Sequence, residues 1–210
     1  MRGLYPIVDA DTLSARGIAL LDFADQLLAA RPPLLQLRAK RWTARETLAA
    51  LRALLPRCRA AGSLLFANDR PDLALLAGCD GVHVGQDDVP IDQVRRIAPG
   101  LKIGVSTHDL HQLGAALAER PDYVAFGPIF ATASKANPDP SVGLEGLTTA
   151  AAQARAAGVP IVAIGGITLE RAPAIATAGA MAAVIAALLP ASGALGEVAE
   201  RARALQVALA

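Results

Sequence analysis

Apolar residues recur along this chain in two alternating rhythms. Short β-rich apolar runs, such as Ile-Val-Ala-Ile at 161–164, are separated by Ala/Leu/Arg-rich segments whose apolar positions have helical spacing. The pattern predicts eight strands, at 4–8, 34–38, 63–68, 81–84, 102–106, 122–126, 161–164 and 180–187. It predicts helices over 20–30, 44–61, 71–77, 90–97, 109–119, 144–157, 169–177 and 195–209. Thr43 with Glu46 three residues on has the form of a capping box, and Gly62, Gly158 and Gly179 stand where helices should stop. Strand–helix alternation from end to end makes this an α/β chain. The repeat averages roughly 26 residues, short but workable for a (β/α)8 TIM barrel. A doubly wound open sheet is the other arrangement such a pattern allows. The barrel is preferred because no linker divides the chain into halves and no Gly-x-Gly-x-x-Gly follows the first strand. A single barrel domain over residues 1–210 is therefore expected.

Composition narrows the function classes. Hydrophobic residues are 53% of the chain and charged residues 19%, which excludes a disordered or fibrous protein. A formal net charge of +1 supplies no overall field for nucleic acid or an anionic membrane, so any anion site must be local. The first residues lack the pattern of a signal peptide, and apolar runs such as 178–190 are broken by Gly or Pro before they could span a membrane. A cytoplasmic protein is the expectation. Cys58 and Cys79 form no C-x-x-C pair and read as reduced packing residues.

In a barrel the chemistry belongs where strands end and βα loops begin, and polar residues gather there. Gln36, Arg38 and Lys40 alternate, so if their strand continues all three project into the barrel mouth. Two cations on an inner face call for an anion, and a phosphate would offset their cost; outward snorkelling is the bland alternative. The third strand runs into Asn68-Asp69-Arg70, and the fourth into Gly85-Gln86-Asp87-Asp88. Carboxylates on adjacent loops suit Mg²⁺, a hard cation held by one or two carboxylates plus phosphate oxygens, although Asp69 or Asp88 could instead cap the next helix. The fifth strand ends at Ser106-Thr107-His108, with the role of His108 open. His83 reads as a packed strand histidine and His111 as a helix-surface residue. The longest loop, residues 127–143, carries Thr132, Ser134 and Lys135, natural phosphate donors. Gly165-Gly166 after the seventh strand would let the backbone approach a ligand and present N–H groups at a helix start.

Taken in order, the strings at 4–9, 36–40, 68–72, 80–90, 104–108, 127–135 and 160–167 resemble the thiamine phosphate synthase family over nearly the whole chain. That family consists of (β/α)8 enzymes joining hydroxymethylpyrimidine pyrophosphate to thiazole phosphate, with release of pyrophosphate. The resemblance implies that Gln36, Arg38, Lys40, Asn68, Ser106 and Lys135 hold the pyrimidine substrate and its pyrophosphate. It implies Asp69 and Asp88 as Mg²⁺ ligands, with Thr132, Ser134, the Gly166 backbone, Ala186 and Ala187 at the thiazole phosphate. Arg38, Lys40, Ser106 and Lys135 are the catalytic candidates. The implied mechanism is dissociative: pyrophosphate leaves first, and the thiazole nitrogen attacks the resulting cation. The implied partners are small molecules, neither nucleic acid nor membrane, and a homo-oligomer is compatible with the sequence.

Two departures matter. The family usually has Asp-Gly after the Gly-Ala at 179–180, and a Ser at the place of Ala187. A thiazole tautomerase of the same family, acting through a His at the place of His108, is the rival reading. It tends to lack complete Asn68-Asp69-Arg70 and Thr132-Ala133-Ser134-Lys135 strings, both present here. A non-catalytic sensor of thiamine intermediates has little need of both carboxylates, and a sugar-phosphate isomerase or lyase would turn over without Mg²⁺. Restoring the hydroxyl in Ala187→Ser is expected to tighten thiazole phosphate binding by about 1 kcal/mol, the worth of one neutral hydrogen bond. Titration calorimetry of the two proteins checks this, and equal affinities would contradict it.

Overall fold

The computed structural model describes residues 2–132, 140–191 and 195–210. The elements run β1 (Leu4–Asp9), α1 (Ala10–Ala15), α2 (Leu20–Leu28), β2 (Leu34–Arg38), α3 (Ala44–Ala61), β3 (Leu64–Asn68), α4 (Pro71–Ala77), β4 (Gly81–Val84) and α5 (Ile91–Ile97). They continue with β5 (Lys102–Thr107), α6 (Leu110–Ala118), β6 (Tyr123–Phe126), α7 (Gly143–Ala156), β7 (Ile161–Ile164), α8 (Ala172–Thr177), β8 (Met181–Val184), a 3₁₀ turn (Ala186–Leu188) and α9 (Gly196–Ala208). The eight strands are parallel and close in chain order, with β1 pairing both β2 and β8. This is the expected (β/α)8 barrel. Among the described residues no helix is long and apolar enough to cross a membrane.

Strand parity separates two cores. Leu4, Val8, Leu35, Leu37, Val82, Ile103 and Val124 face the helices, while the residues between them turn inward. The inner cluster contains Tyr5, Ile7, Leu34, Phe66, Tyr123, Val162 and Met181. Two strands give way to its aromatic rings. A Cβ on Gly81 would overlap the Phe66 ring, and one on Gly104 the Tyr123 ring, so glycine is the side chain that fits each place. Strand starts are secured by a repeated device. Asp80, just before β4, accepts from the Leu65 amide at 2.8 Å, and Asp122, just before β6, accepts from the Ile103 amide at 2.8 Å.

The capping box at α3 forms as expected, with Glu46 Oε2 accepting from the Thr43 amide at 2.8 Å. Burial pushes the Cys58 and Cys79 thiols up to about 12, so both stay protonated in the packing. Most element ends fall within two residues of the expectation, and three elements differ by more. Helix α1 is an addition: Asp9 caps it by accepting from the Thr12 amide at 2.8 Å, a local signal that the weak apolar periodicity of six residues conceals. Strand β8 stops at Val184 rather than 187, because Ile185 turns to the αR region and Ala186–Leu188 coil into the 3₁₀ turn. Alanine favours helical turns over strand, and Leu188 is buried by the coil. Helix α8 begins at Ala172 rather than 169, with Thr168 and Leu169 in the turn that precedes it.

Two outcomes follow from the inner core. Gly104→Ala should lower stability by about 3 kcal/mol or more, the upper range for overpacking, read as a reduced urea midpoint. The phenols of Tyr5 and Tyr123 are both pushed above the ordinary value of 10.0, chiefly by burial. The unfolded chain then releases those protons first. Their contribution to stability is complete below pH 10 and is lost as pH rises beyond it. Because these are the only two tyrosines, tyrosinate absorbance should appear with unfolding and not before it. Titration of either phenol in the intact fold at its ordinary value would contradict this.

Candidate functional site

The inward parity of the strands continues upward past the apolar layer and becomes polar. Above Leu34 in β2 come Gln36 and Arg38, above Phe66 in β3 comes Asn68, and above Gly104 in β5 comes Ser106. These residues line a cavity of about 530 Å³ at the C-terminal ends of the strands. Lys40, two residues beyond β2, reaches it as well, as do Asp69, Asp88, Thr132, Gly166, Ala186 and His108. The expected site residues are therefore brought together, with three exceptions. Ser134 and Lys135 lie outside the described residues, and Ala187 sits half-buried against the core next to the lining residue Ala186.

The cations do not wait for an outside anion. Arg38 Nη1 donates to Asp9 Oδ2, and Lys40 Nζ stands 2.5 Å from Asp69 Oδ2. Carboxylates of the chain thus offset much of the desolvation that pointed to a ligand from the sequence. Asp9 was not singled out beforehand, although it lies two residues beyond Ile7 on the inward face. Asp11 was missed too. Its buried carboxylate accepts from the amides of Lys40, at 3.0 Å, and Arg41, and so holds the turn that aims Lys40. Arg70 is drawn away by a two-point bond to Asp72, which also holds the Asp72 carboxyl below its ordinary value.

Asp69 and Asp88 do not act as helix caps. Asp69 has a positive φ of 60°, a conformation aspartate tolerates better than most residues, and its amide donates to His83 O at 2.8 Å. Asp88 Oδ2 accepts from the Gly85 amide at 2.7 Å, folding its loop back on itself. Burial first, and then the neighbouring Asp69, push Asp88 above its ordinary value, while Gly85 N–H and Lys40 oppose them. Two carboxylates lining the same cavity are a donor set that fits a hard divalent cation, which would relieve that repulsion.

The loops after β6 and β7 pack on each other. Gly165 and Gly166 have φ of 99° and 63°, and a Cβ on either would meet Pro128, Phe130 or the Ala131 carbonyl. Their glycines thus serve close backbone packing; the helix they were expected to open, α8, begins later, at Ala172. Arg171 lies over the Phe130 ring, 4.4 Å from its centre, and donates to Gly166 O at 2.6 Å.

The imidazoles separate as well. His111 is exposed on α6, as expected. His108 lines the cavity and meets Gln112 Oε1 at 3.0 Å. His83 is packed and yet lines the cavity, with Nδ1 2.8 Å from the Tyr123 hydroxyl and Nε2 2.8 Å from Ser106 Oγ. Its parity with Gly81 was the signal that a packed reading passed over.

With this geometry in view, comparison with known proteins is specific. Residues 4–188 match the family model described as thiamine monophosphate synthase. The thiamine-phosphate synthase of Koribacter versatilis is 46% identical over 190 residues, covering 89% of this chain and 88% of that protein. That of Myxococcus xanthus is 43% identical, covering 88% and 83%. A solved thiamine phosphate pyrophosphorylase from Pyrococcus furiosus superposes with a TM-score of 0.84 at 29% identity, over 98% of this chain and 94% of that one. Shared architecture and sequence lead to one conclusion: the chain belongs to the thiamine monophosphate synthase family and is an enzyme of the transferase class.

Proposed function

We propose that this chain condenses hydroxymethylpyrimidine pyrophosphate with thiazole phosphate, giving thiamine phosphate and pyrophosphate, in the cytoplasm. The observation that supports this best is the grouping at one cavity of Arg38 and Lys40 with the carboxylates of Asp69 and Asp88. The bond that breaks joins the pyrimidine methylene carbon to pyrophosphate oxygen, and its electron pair leaves with the pyrophosphate. The thiazole nitrogen then supplies the pair for the new carbon–nitrogen bond. No protein nucleophile takes part.

In this reading the protein holds two anions and stabilises the charge that grows on the leaving group. Asp69 and Asp88 would hold Mg²⁺, which when bound supplies Lewis-acid neutralisation of the departing pyrophosphate. Arg38, kept in place by Asp9, and Lys40, aimed by the Asp11-held turn, would meet the same oxygens, joined by Lys135. Gln36, Asn68 and Ser106 would orient the pyrimidine from the strand ends. Thr132, Ser134, the Gly166 backbone and the Ala186–Ala187 turn would receive the thiazole phosphate.

Incubation with both substrates and Mg²⁺ should yield thiamine phosphate, and a chelator should abolish it. Asp69→Asn should reduce kcat/KM by about 100-fold or more, as expected when a charge stabilising the leaving group is lost. His108→Ala should retain turnover. Formation of product that survives the chelator, or that needs His108 but neither carboxylate, would overturn the reading.

A further inference from the structure

Five polar side chains form a continuous line through the inside of the barrel, and it joins two residues of the proposed pyrimidine site. Gln36 Nε2 donates to the Tyr5 hydroxyl at 2.7 Å. The Tyr5 and Tyr123 hydroxyls lie 2.8 Å apart, the Tyr123 hydroxyl is 2.8 Å from His83 Nδ1, and His83 Nε2 is 2.8 Å from Ser106 Oγ. Tyr5 and Tyr123 are each 1% exposed, so bulk solvent does not reach their hydroxyls. The line crosses β2, β1, β6, β4 and β5 in turn, and so ties together strands that are not neighbours in the sheet.

The line has one sense. An amide NH₂ only donates, so the Tyr5 hydroxyl accepts from Gln36 and must place its own proton on Tyr123. The Tyr123 hydroxyl, having accepted, donates to His83 Nδ1. A neutral imidazole whose Nδ1 accepts carries its proton on Nε2, and that proton goes to Ser106 Oγ. The two ends are thereby fixed. Gln36 spends an N–H inside the barrel and keeps its amide oxygen for the cavity, whereas Ser106 accepts inside the barrel and keeps its hydroxyl proton for the cavity.

We propose that Tyr5, Tyr123 and His83 are positioning residues that set the hydrogen-bonding sense of the site, making Gln36 an acceptor and Ser106 a donor toward the pyrimidine substrate. The proposal rests on the functional reading above and deepens it. An aminopyrimidine carries both kinds of partner. Buried phenols that only filled space could as well be phenylalanines; here each hydroxyl is needed to pass the sense along, and a reversed line would require the Gln36 amide to turn over, putting its oxygen on Tyr5 and its N–H groups toward the cavity.

The chain has 3 histidines, so the ring nitrogens of His83 can be resolved by ¹⁵N NMR on the native protein. The expected signature is protonated Nε2 with unprotonated Nδ1; the opposite tautomer overturns the proposal without any variant having to fold. The second measurement is a mutant cycle. Tyr123→Phe should lower kcat/KM for the pyrimidine pyrophosphate about tenfold, the worth of one disrupted hydrogen-bond pair, and leave KM for thiazole phosphate unchanged. In a Ser106→Ala background the same substitution should cost clearly less than in the wild-type chain, because part of its effect passes through that hydroxyl and only the rest through Tyr5 and Gln36. An equal loss in both backgrounds, or a matching rise in KM for thiazole phosphate, would mark a general packing defect and overturn the proposal. Should the wild-type chain make no thiamine phosphate, the functional reading falls, and the tautomer alone decides whether the line has the sense assigned to it.

Discussion

The meeting of the Tyr5 and Tyr123 hydroxyls near the barrel axis is the contact on which the rest of the structure depends. The two rings cross edge to face, with centres 5.8 Å apart, and Tyr123 also stacks on His83 and meets Phe66. So much aromatic volume leaves no room for side chains at positions 81 and 104, which is why those inward places hold glycine. Each phenol brings a polar atom into the buried interior, and an unpartnered hydroxyl there costs roughly 1–3 kcal/mol. Partners come from above, Gln36 on one side and His83 on the other. The apolar floor and the polar cavity are thus one unit: packing below requires bonding above.

Parity explains why the cavity is polar where it is. In a closed parallel barrel every second residue points inward, and the strands twist together, so inward positions rise in layers. The lower layers are filled by Phe66, Tyr123, Val162 and Met181; the next carries Gln36, His83 and Ser106. Charges appear at the last strand residues, Asp9 and Arg38, and beyond them at Lys40, Asp69 and Asp88. Dielectric and exposure increase along the same axis. Neutral donors and acceptors occupy the drier level and ionised groups the wetter one, the arrangement that costs least in desolvation.

Much of this was legible in the sequence because it is periodic. Eight strand runs, the Thr43–Glu46 cap and the alternation of Gln36, Arg38 and Lys40 all follow from local rules, and each took the expected place. The family-like strings marked Asn68, Asp69, Asp88, Ser106 and Gly166, which line the cavity. What escaped was pairing at long range. Arg38 with Asp9 spans 29 positions, Gln36 with Tyr5 31, and His83 with Tyr123 40. A strand pattern says which way a residue points and not what it will meet across the barrel. The ends of α1, α8 and β8 escaped for a different reason: their short Ala-rich stretches have no strong preference, and the last buried side chain decides where each turn stops.

The charges around the cavity bear on the order of binding. Arg38 and Asp9 cancel, and Asp69, Asp87 and Asp88 against Lys40 leave two negative charges when all are ionised. An anionic substrate approaching that group alone meets a weak repulsion, and Lys40 is held by Asp69 rather than by the incoming oxygens. On the proposed reading, a dication held by Asp69 and Asp88 would cancel that charge, from −2 to 0, and would draw Asp69 away from Lys40. Divalent cation and pyrophosphate should therefore bind with positive coupling, each preparing the site for the other. The same balance accounts for retaining both carboxylates beside the cations. Without them the site would hold any phosphate; with them, on the proposed reading, firm binding would be reserved for an anion that arrives with, or after, a metal ion.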